Sequence, residues 1–412
     1  MSRPEIQKLL DLPRIPGKTV YVLGAGFSYP LGVPLMSDFI PKGLDLLKQA
    51  AGTQDRHWAF INQVMELVNR CRRTLGDLAD HDPDLQDIFS YIDLVKGPKS
   101  EDRKNLVKFI ARVCHTTAKN WHECFVPRAH FDSASKIRIP APNPVPAPNK
   151  VKTGVDLYYA FISQLLGKKP KHLPPELQGG EDKGGYGRSA IVSLNYDLVV
   201  ETKVKEMEIG FEKVDSKSRV REGSRGNEEA PVNWKAFYGC GVVESESWNQ
   251  KPKDNMNQFP LIKIHGSIDW RLKEGSECVL EERPKDIRGL ACPLIYPSWQ
   301  RDQVKGTVFG KLIEEARIHL RLAEKIVFVG YSMPVSDQHI RYLLADALDT
   351  AEPPKIETAN LWKTDEEART QIGAMMGARA VRCFTKNHPE GLLGLVTSWK
   401  HQSSVPTEDS NS

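Results

Sequence analysis

Four short clusters of residues able to do chemistry punctuate the sequence. They are Gly24-Ala25-Gly26-Phe27-Ser28, Ser193-Leu194-Asn195-Tyr196-Asp197, His265-Gly266-Ser267 and Gly330-Tyr331-Ser332. A Gly-x-Gly between a strand and a helix is how a chain cradles the phosphates of a dinucleotide. Asn195 and Asp197 put an amide and a carboxylate at one strand exit. Histidine suits general-base work because its unperturbed pKa lies near neutrality. Taken singly, each cluster has a plain structural reading: a tight turn, an ordinary turn former, a satisfied histidine, a strand exit. Taken together they share a placement, because each follows an apolar run with the look of a strand. If those strands are parallel neighbours, all four clusters line one edge of a sheet, where ligands of such sheets bind.

The elements that must position them read as follows. Residues 19–24, "TVYVLG", are short, β-branched and ended by glycine, the pattern of a buried parallel strand. "SAIVSLNYD" (189–197) and "FPLIKIHGSIDW" (259–270) give two more strands with polar tips. "FGKLIEEARIHLRLA" is an amphipathic helix that feeds into the strand of "EKIVFVGYSMPVSD", and "PKIETANLW" is a weaker final strand. Residues 35–50 read as the helix after the first strand. From about 55 to 125 apolar residues recur at three- and four-residue spacing, and 155–167 returns to helix. "PAPNPVPAPN" (140–149) is a stiff extended linker, and the polar stretch 212–230 is a surface loop. The expected fold is α/β: a Rossmann-like parallel sheet with helices on both faces, plus a large helical insertion. Residues 1–39 and 186–400 form the catalytic domain in this reading, 40–185 the insertion and 401–412 a disordered tail.

The 412 residues include 57 Lys and Arg against 53 Asp and Glu, a net charge of +4. That near balance gives no general argument for nucleic-acid or membrane binding, and neither a direct nucleic-acid contact nor a membrane partner is expected. No apolar run approaches the ~20 residues of a membrane span, and the N-terminal stretch lacks the apolar core of a signal peptide. A cytoplasmic location is the expectation. The seven cysteines form no Cys-x-x-Cys pair and read as free thiols, mostly buried.

Hydride transfer is the first chemistry to test against "VYVLGAGFSYPLGVPLMSDF" (20–39), and the residues argue against it. The dinucleotide fingerprint of oxidoreductases needs a third glycine for close helix packing and an acidic residue about 20 positions on. Tyr29 stands where the glycine should be. Asp45 has roughly the right spacing but lies in the helical pattern.

"GAGFSYPLGVP", "SLNYD", "KIHGSIDW" and "FVGYSMPVSD", in that order, resemble the sirtuin-like family, most closely its branch in prokaryotic antiviral defence. The resemblance is discontinuous and spans roughly residues 17–362, with 40–185 as the family's variable insertion. It explains the missing glycine, because Gly32 and Pro34 then shape a loop over the cofactor. It implies NAD as substrate. Gly24, Ala25, Gly26, Phe27 and Ser28 would face the pyrophosphate, and Gly330 and Ser332 would close the phosphate side. Asn195 would contact the ribose and position a water, Asp197 would lie near the carboxamide, and His265 would act as general base. Asn360 is matched to the adenosine ribose, and Asp38 and Asp93 are second-rank candidates.

Departures from the family point to water as acceptor. Deacylating sirtuins follow Gly-x-Pro with Asp-Phe-Arg, whereas Leu35-Met36-Ser37 follows Pro34. Deacylases also carry a zinc ribbon of two cysteine pairs, but only Cys278 and Cys292 follow His265 at moderate distance, unpaired. Cys114, His115, His122 and Cys124 have ligand types but sit in a helical pattern, so no metal site is expected. The implied activity is NAD hydrolysis to ADP-ribose and nicotinamide by an effector of antiphage defence. Regulation would come from homo-oligomer assembly or a separate ATPase, Argonaute-type or nucleotide-binding partner. An NAD-dependent protein deacylase or ADP-ribosyltransferase is the same-fold rival, and a non-catalytic NAD or ADP-ribose sensor the rival of another class.

Overall fold

Thr19–Leu23 (β1) is β-branched and aromatic without polar alternation, as a strand covered on both faces must be. The computed structural model describes residues 17–50, 61–75, 83–97, 100–124, 189–209, 259–268, 308–334, 337–360 and 364–389, with shorter stretches at 158, 160–162, 165, 243–244, 270–272, 280–282, 294, 362, 391–392, 394–396 and 398. β1 lies inside a six-stranded sheet with β2 (Ser189–Ser193), β3 (Leu261–Lys263), β4 (Lys325–Val329), β5 (Lys355–Ala359) and β6 (Phe384–Asn387). The lateral order is β3-β2-β1-β4-β5-β6, and every pairing is parallel. The chain steps outward from β1 to β3 on one side, then crosses back to lay β4 on the other. That reversal opens a crevice beyond the carboxyl ends of β1 and β4, the usual ligand position in open parallel sheets.

Register decides what reaches the crevice. Leu23 lies opposite Ser193 on one side and Val329 on the other, Ser193 opposite Lys263, and Val329 opposite Ala359. Five strands therefore end level, and the residues that follow them emerge along one edge. Burial holds the strands in place. Val20, Val22, Ile191, Val192, Ile326 and Phe328 are all removed from water, each contributing about 1.5–3 kcal/mol.

β1 gives way to a single helical turn, α1 (Ala25–Ser28), and 3₁₀ turns at Tyr29–Leu31 and Met36–Asp38. The helix expected over 35–50 starts later, at Phe39 (α2, Phe39–Ala50), because Leu35 is extended and the next three residues wind into the tighter turn. Three helices follow: α3 (Ile61–Leu75), α4 (Leu85–Val95) and α5 (Glu101–Cys124). Asp84 starts α4 with a capping box, its side chain accepting from Gln86 and Asp87 N–H while Asp87 accepts from Asp84 N–H.

These helices build a hydrophobic core separate from that of the sheet, around Val68, Ile88, Phe89, Phe109 and Ile110. Tyr196 and Ile268, from the exits of β2 and β3, belong to that second core. Tyr158 and Phe161, inside the stretch expected to be insertion, pack with the sheet instead: Phe161 lies edge-on to Tyr21 at 5.3 Å and Tyr158 edge-on to Phe27 at 5.1 Å.

The rest of the α/β unit comprises α6 (Val199–Ile209), α7 (Val308–Leu322), α8 (Gln338–Leu348), α9 (Asp365–Met376) and α10 (Ala378–Cys383). Arg317 of α7 pairs with both carboxylate oxygens of Asp346 of α8, at 3.1 and 3.3 Å. A small sheet of Val243–Glu244, Leu280–Glu282 and Trp270–Leu272 accompanies the main one. The linker at 140–149, the loop at 212–230, Cys278, Cys292 and the tail from 401 lie outside the described residues. Among the described residues no helix is long and apolar enough to cross a membrane.

Candidate active site

The Gly24–Ser28 turn and the exit of β4 are pressed together. Gly24 N–H donates to Val329 O at 3.0 Å and Gly26 N–H to Gly330 O at 2.8 Å. A Cβ on Gly24 would lie 2.6 Å from Tyr331 Cα, so the backbones can meet only because no side chain intervenes. Gly330 has φ of 60°, and a Cβ there would collide with Phe27 N and the Gly26 backbone. The glycines thus have a packing role that the sequence reading assigned to phosphate. The Gly24 and Gly26 N–H groups are already bonded within the protein, and α1 is too short to supply much of a dipole. A phosphate at this turn would be met by other donors.

Asn195 joins the β2 exit to the same turn. Its Nδ2 donates to Gly24 O at 2.9 Å and to Ser28 Oγ at 3.1 Å. A carbonyl oxygen only accepts, so this contact fixes the amide orientation and leaves Oδ1 as the acceptor available to a ligand. Asn195 is 8% exposed. Leu194 N–H donates to Leu23 O at 3.0 Å, extending the β1–β2 ladder by one residue.

His265 faces the β2 exit from the end of β3. Its Nδ1 lies 3.2 Å from Leu194 O. Since that carbonyl must accept, Nδ1 carries the hydrogen and the neutral ring presents a lone pair at Nε2. Burial pushes the imidazole below its ordinary range, against the charge of Asp337 and the bond to Leu194, and so favours this neutral form. The Nε2 atom is buried and has no hydrogen-bond partner among the described residues.

Asp197 accepts from Val199 N–H at 3.0 Å. Burial raises its carboxyl, opposed by Lys263, by that N–H and by a bond with Ser28. The sequence reading missed Lys263. Its buried ammonium donates to Glu201 Oε1 at 2.8 Å, to Ser267 Oγ at 2.9 Å and to the Asp197 carbonyl. One cation thus ties the exits of β2 and β3 to α6. Ile268 N–H adds a bond to Tyr196 O at 3.1 Å.

The remaining candidates divide. Phe27 turns its ring into the sheet core, and its carbonyl accepts from Tyr158 OH. Gly32 is left-handed at φ 89° and ends the 3₁₀ turn, while Pro34 is buried beside it. Ser332 is exposed. Asn360 spends its amide on Tyr331 O at 2.9 Å, bracing the β4 exit from β5. Asp38 accepts from Ser37 Oγ at 3.3 Å, and Asp93 pairs with Arg103 at 3.2 Å within the helical layer. Among the described residues no group of three or more His, Cys, Asp or Glu could hold a metal ion. Asp337 was also missed. It stands just beyond the Gly-Tyr-Ser cluster at the start of α8, where its only signal is that of a helix cap.

Comparison with known proteins gives one family. The family model of the SIR2-like domain matches residues 189–372, a stretch that holds Asn195, Asp197, His265, Gly330, Ser332 and Asn360. Among the solved structures that align with the chain, two do so at 12% identity. One is a triple mutant of a Sir2 homologue in complex with 2'-O-acetyl-ADP-ribose, covering 99% of this chain and 100% of that chain with a TM-score of 0.38. The other concerns the mechanism and regulation of Sir2 enzymes, covering 98% and 100% with a TM-score of 0.31. Superpositions that loose carry no argument. No curated protein matches the chain. On the family match, residues 189–372 of this chain are similar to the SIR2-like domain.

Proposed function

We propose that the chain hydrolyses NAD at the nicotinamide–ribose bond, yielding ADP-ribose and nicotinamide. The observation that carries this reading is that Asn195 and His265 are both anchored at the β2 exit, His265 through the carbonyl of the residue before Asn195. The Asn195 amide is clamped to Gly24 and Ser28, while the neutral imidazole bonded to Leu194 keeps Nε2 free. In the proposed reaction the C1'–N bond breaks and its electron pair leaves with nicotinamide, which departs neutral. The transition state resembles an oxocarbenium ion. Asn195 Oδ1 orients one water, whose oxygen bonds to C1' and whose proton passes to His265 Nε2. The Gly24–Ser28 turn and the β4 exit form the wall beyond which the pyrophosphate lies.

The biological part of the reading is an NAD-depleting effector of antiphage defence in the cytoplasm. Unregulated turnover would drain a central cofactor, so we propose that self-assembly or a partner protein releases the activity. Deacylation and ADP-ribosyl transfer remain the same-fold rivals, disfavoured by Leu35-Met36-Ser37 after Pro34.

Chromatography of NAD incubated with the protein, alone and with the products of neighbouring genes, tests the reading. Free nicotinamide and ADP-ribose in equal amounts are expected. Asn195→Ala and His265→Ala should each lower turnover by at least about 100-fold. An active His265→Ala protein would remove the mechanism.

A further inference from the structure

Lys263 ends β3, directly opposite Ser193, and its side chain is 1% exposed beside that of Glu201 at 5%. Lysine is seldom buried, because its charge and each of its hydrogens must then be met inside the protein. Here they are met. An ammonium has three hydrogens, and three acceptors receive them: Glu201 Oε1 at 2.8 Å, Ser267 Oγ at 2.9 Å and the Asp197 carbonyl. No hydrogen is left over for a ligand, so this cation is not a phosphate contact.

The places of those acceptors in the chain matter. Asp197 lies two residues beyond Asn195, and Ser267 two residues beyond His265. The register of β2 with β3 runs only to Ser193 and Lys263. Beyond it the exits are joined by Ile264 N–H to Ser193 O, His265 Nδ1 to Leu194 O and Ile268 N–H to Tyr196 O. Lys263 bonds both exits and adds a third anchor, α6, through Glu201. A tight turn brings Ser267 back to the ammonium. It is closed by Gly266 N–H to Lys263 O at 3.1 Å, with Gly266 left-handed at φ 89°.

A buried ion pair is a poor way to gain stability, since apolar residues of like volume often serve as well or better. What this one supplies is geometry: one nitrogen directs three bonds to three separate elements.

We propose that Lys263 is a positioning residue, whose ammonium fixes the β2 exit against the β3 exit and so holds the Asn195 amide and the His265 ring in register. This rests on the NAD reading and adds to it the group that keeps the two proposed reacting side chains in place.

The test replaces the pair together, Lys263→Met with Glu201→Leu, so that neither charge is left buried alone. The double variant should unfold at the wild-type temperature or above. Its kcat for NAD should nevertheless fall about 10- to 100-fold with KM changed less than about threefold, because substrate still binds while water and base are misplaced. A second readout needs no turnover. The 15N spectrum of histidine-labelled protein at pH 8, with His265→Ala to assign the signal, should show wild-type Nδ1 protonated. In the double variant that signal should shift toward the average of two tautomers, as the bond to Leu194 loosens. A wild-type kcat, a wild-type Nδ1 signal, or a kcat lost only in proportion to unfolded protein overturns the proposal. If the double variant does not fold, Ser267→Ala, which removes one acceptor, decides by the same readouts. A wild-type chain that releases no nicotinamide, alone or with the products of neighbouring genes, overturns the NAD reading, and the nitrogen signal then decides the positioning by itself.

Discussion

Burial disfavours the imidazolium of His265, so the ring stays neutral further into the acid range than a free histidine with its pKa of 6.5. A base must be neutral to accept a proton. The acid limb of kcat/KM for NAD is therefore expected below pH 6.5, with the rate already level at neutrality. Among the described residues, the Leu194 carbonyl bonds the ring, Tyr196 lies beside it and Asp337 acts on it through its charge. Of these Asp337 supplies the charge that favours protonation, so Asp337→Asn should move the limb lower still. A limb above 6.5 would assign the titration to another group. The stability sign agrees: the folded pKa is depressed, so His265's contribution is whole above about pH 6.5 and is lost as pH falls through the folded value. At this scale the placement of Asn195 and His265 at strand exits was legible, because each is polar and follows an apolar strand. Lys263 was not. In "LIKIHG" it reads as the water-facing member of a strand, and its burial depends on Glu201, 62 positions away.

Level strand ends bring four separated motifs to one edge of the sheet, and the Gly330 contact is where that arrangement is tightest. Gly330→Ala would need both a left-handed backbone at a residue with a side chain and room that Gly26 and Phe27 already fill. A loss of about 2–4 kcal/mol is expected, read as a lower Tm, with NAD turnover falling in the surviving folded fraction because the turn under Asn195 must shift. An unchanged Tm would mean that the two loops are not pressed together. The strands could be read in advance because strands covered on both faces are uniformly apolar, and the strand–helix unit around 308–329 supplied both periods in succession. The Trp270–Leu272 and Leu280–Glu282 strands were missed, since three residues are too few to show alternation. Residues 158–165 were readable as helix, but only a three-dimensional neighbour such as Tyr21 assigns them to the sheet.

Two hydrophobic cores meet at the exits of β2 and β3. Asn195 and Asp197 turn toward the Gly24–Ser28 turn and Lys263, while Tyr196 between them sits in the core of the helical layer beside Ile268. Tyr196→Ala should cost about 3–5 kcal/mol in unfolding free energy. It should also lower NAD turnover in protein that remains folded, although Tyr196 is assigned no part in the chemistry. Intact turnover in a destabilised Tyr196→Ala chain would show that the layers act independently. The sequence suggested an inserted helical layer but not where it rests, because nothing in the periodicity of "LQDIFSYIDLV" names the far side of its apolar stripe. The practical consequence concerns genetics. Substitutions scattered through α3, α4 and α5, far in the chain from the candidate site, would lower the proposed turnover through Tyr196 and Ile268, and a screen for inactive mutants would recover them mixed among true chemical knock-outs. Only a parallel assay for folded protein would tell the two populations apart.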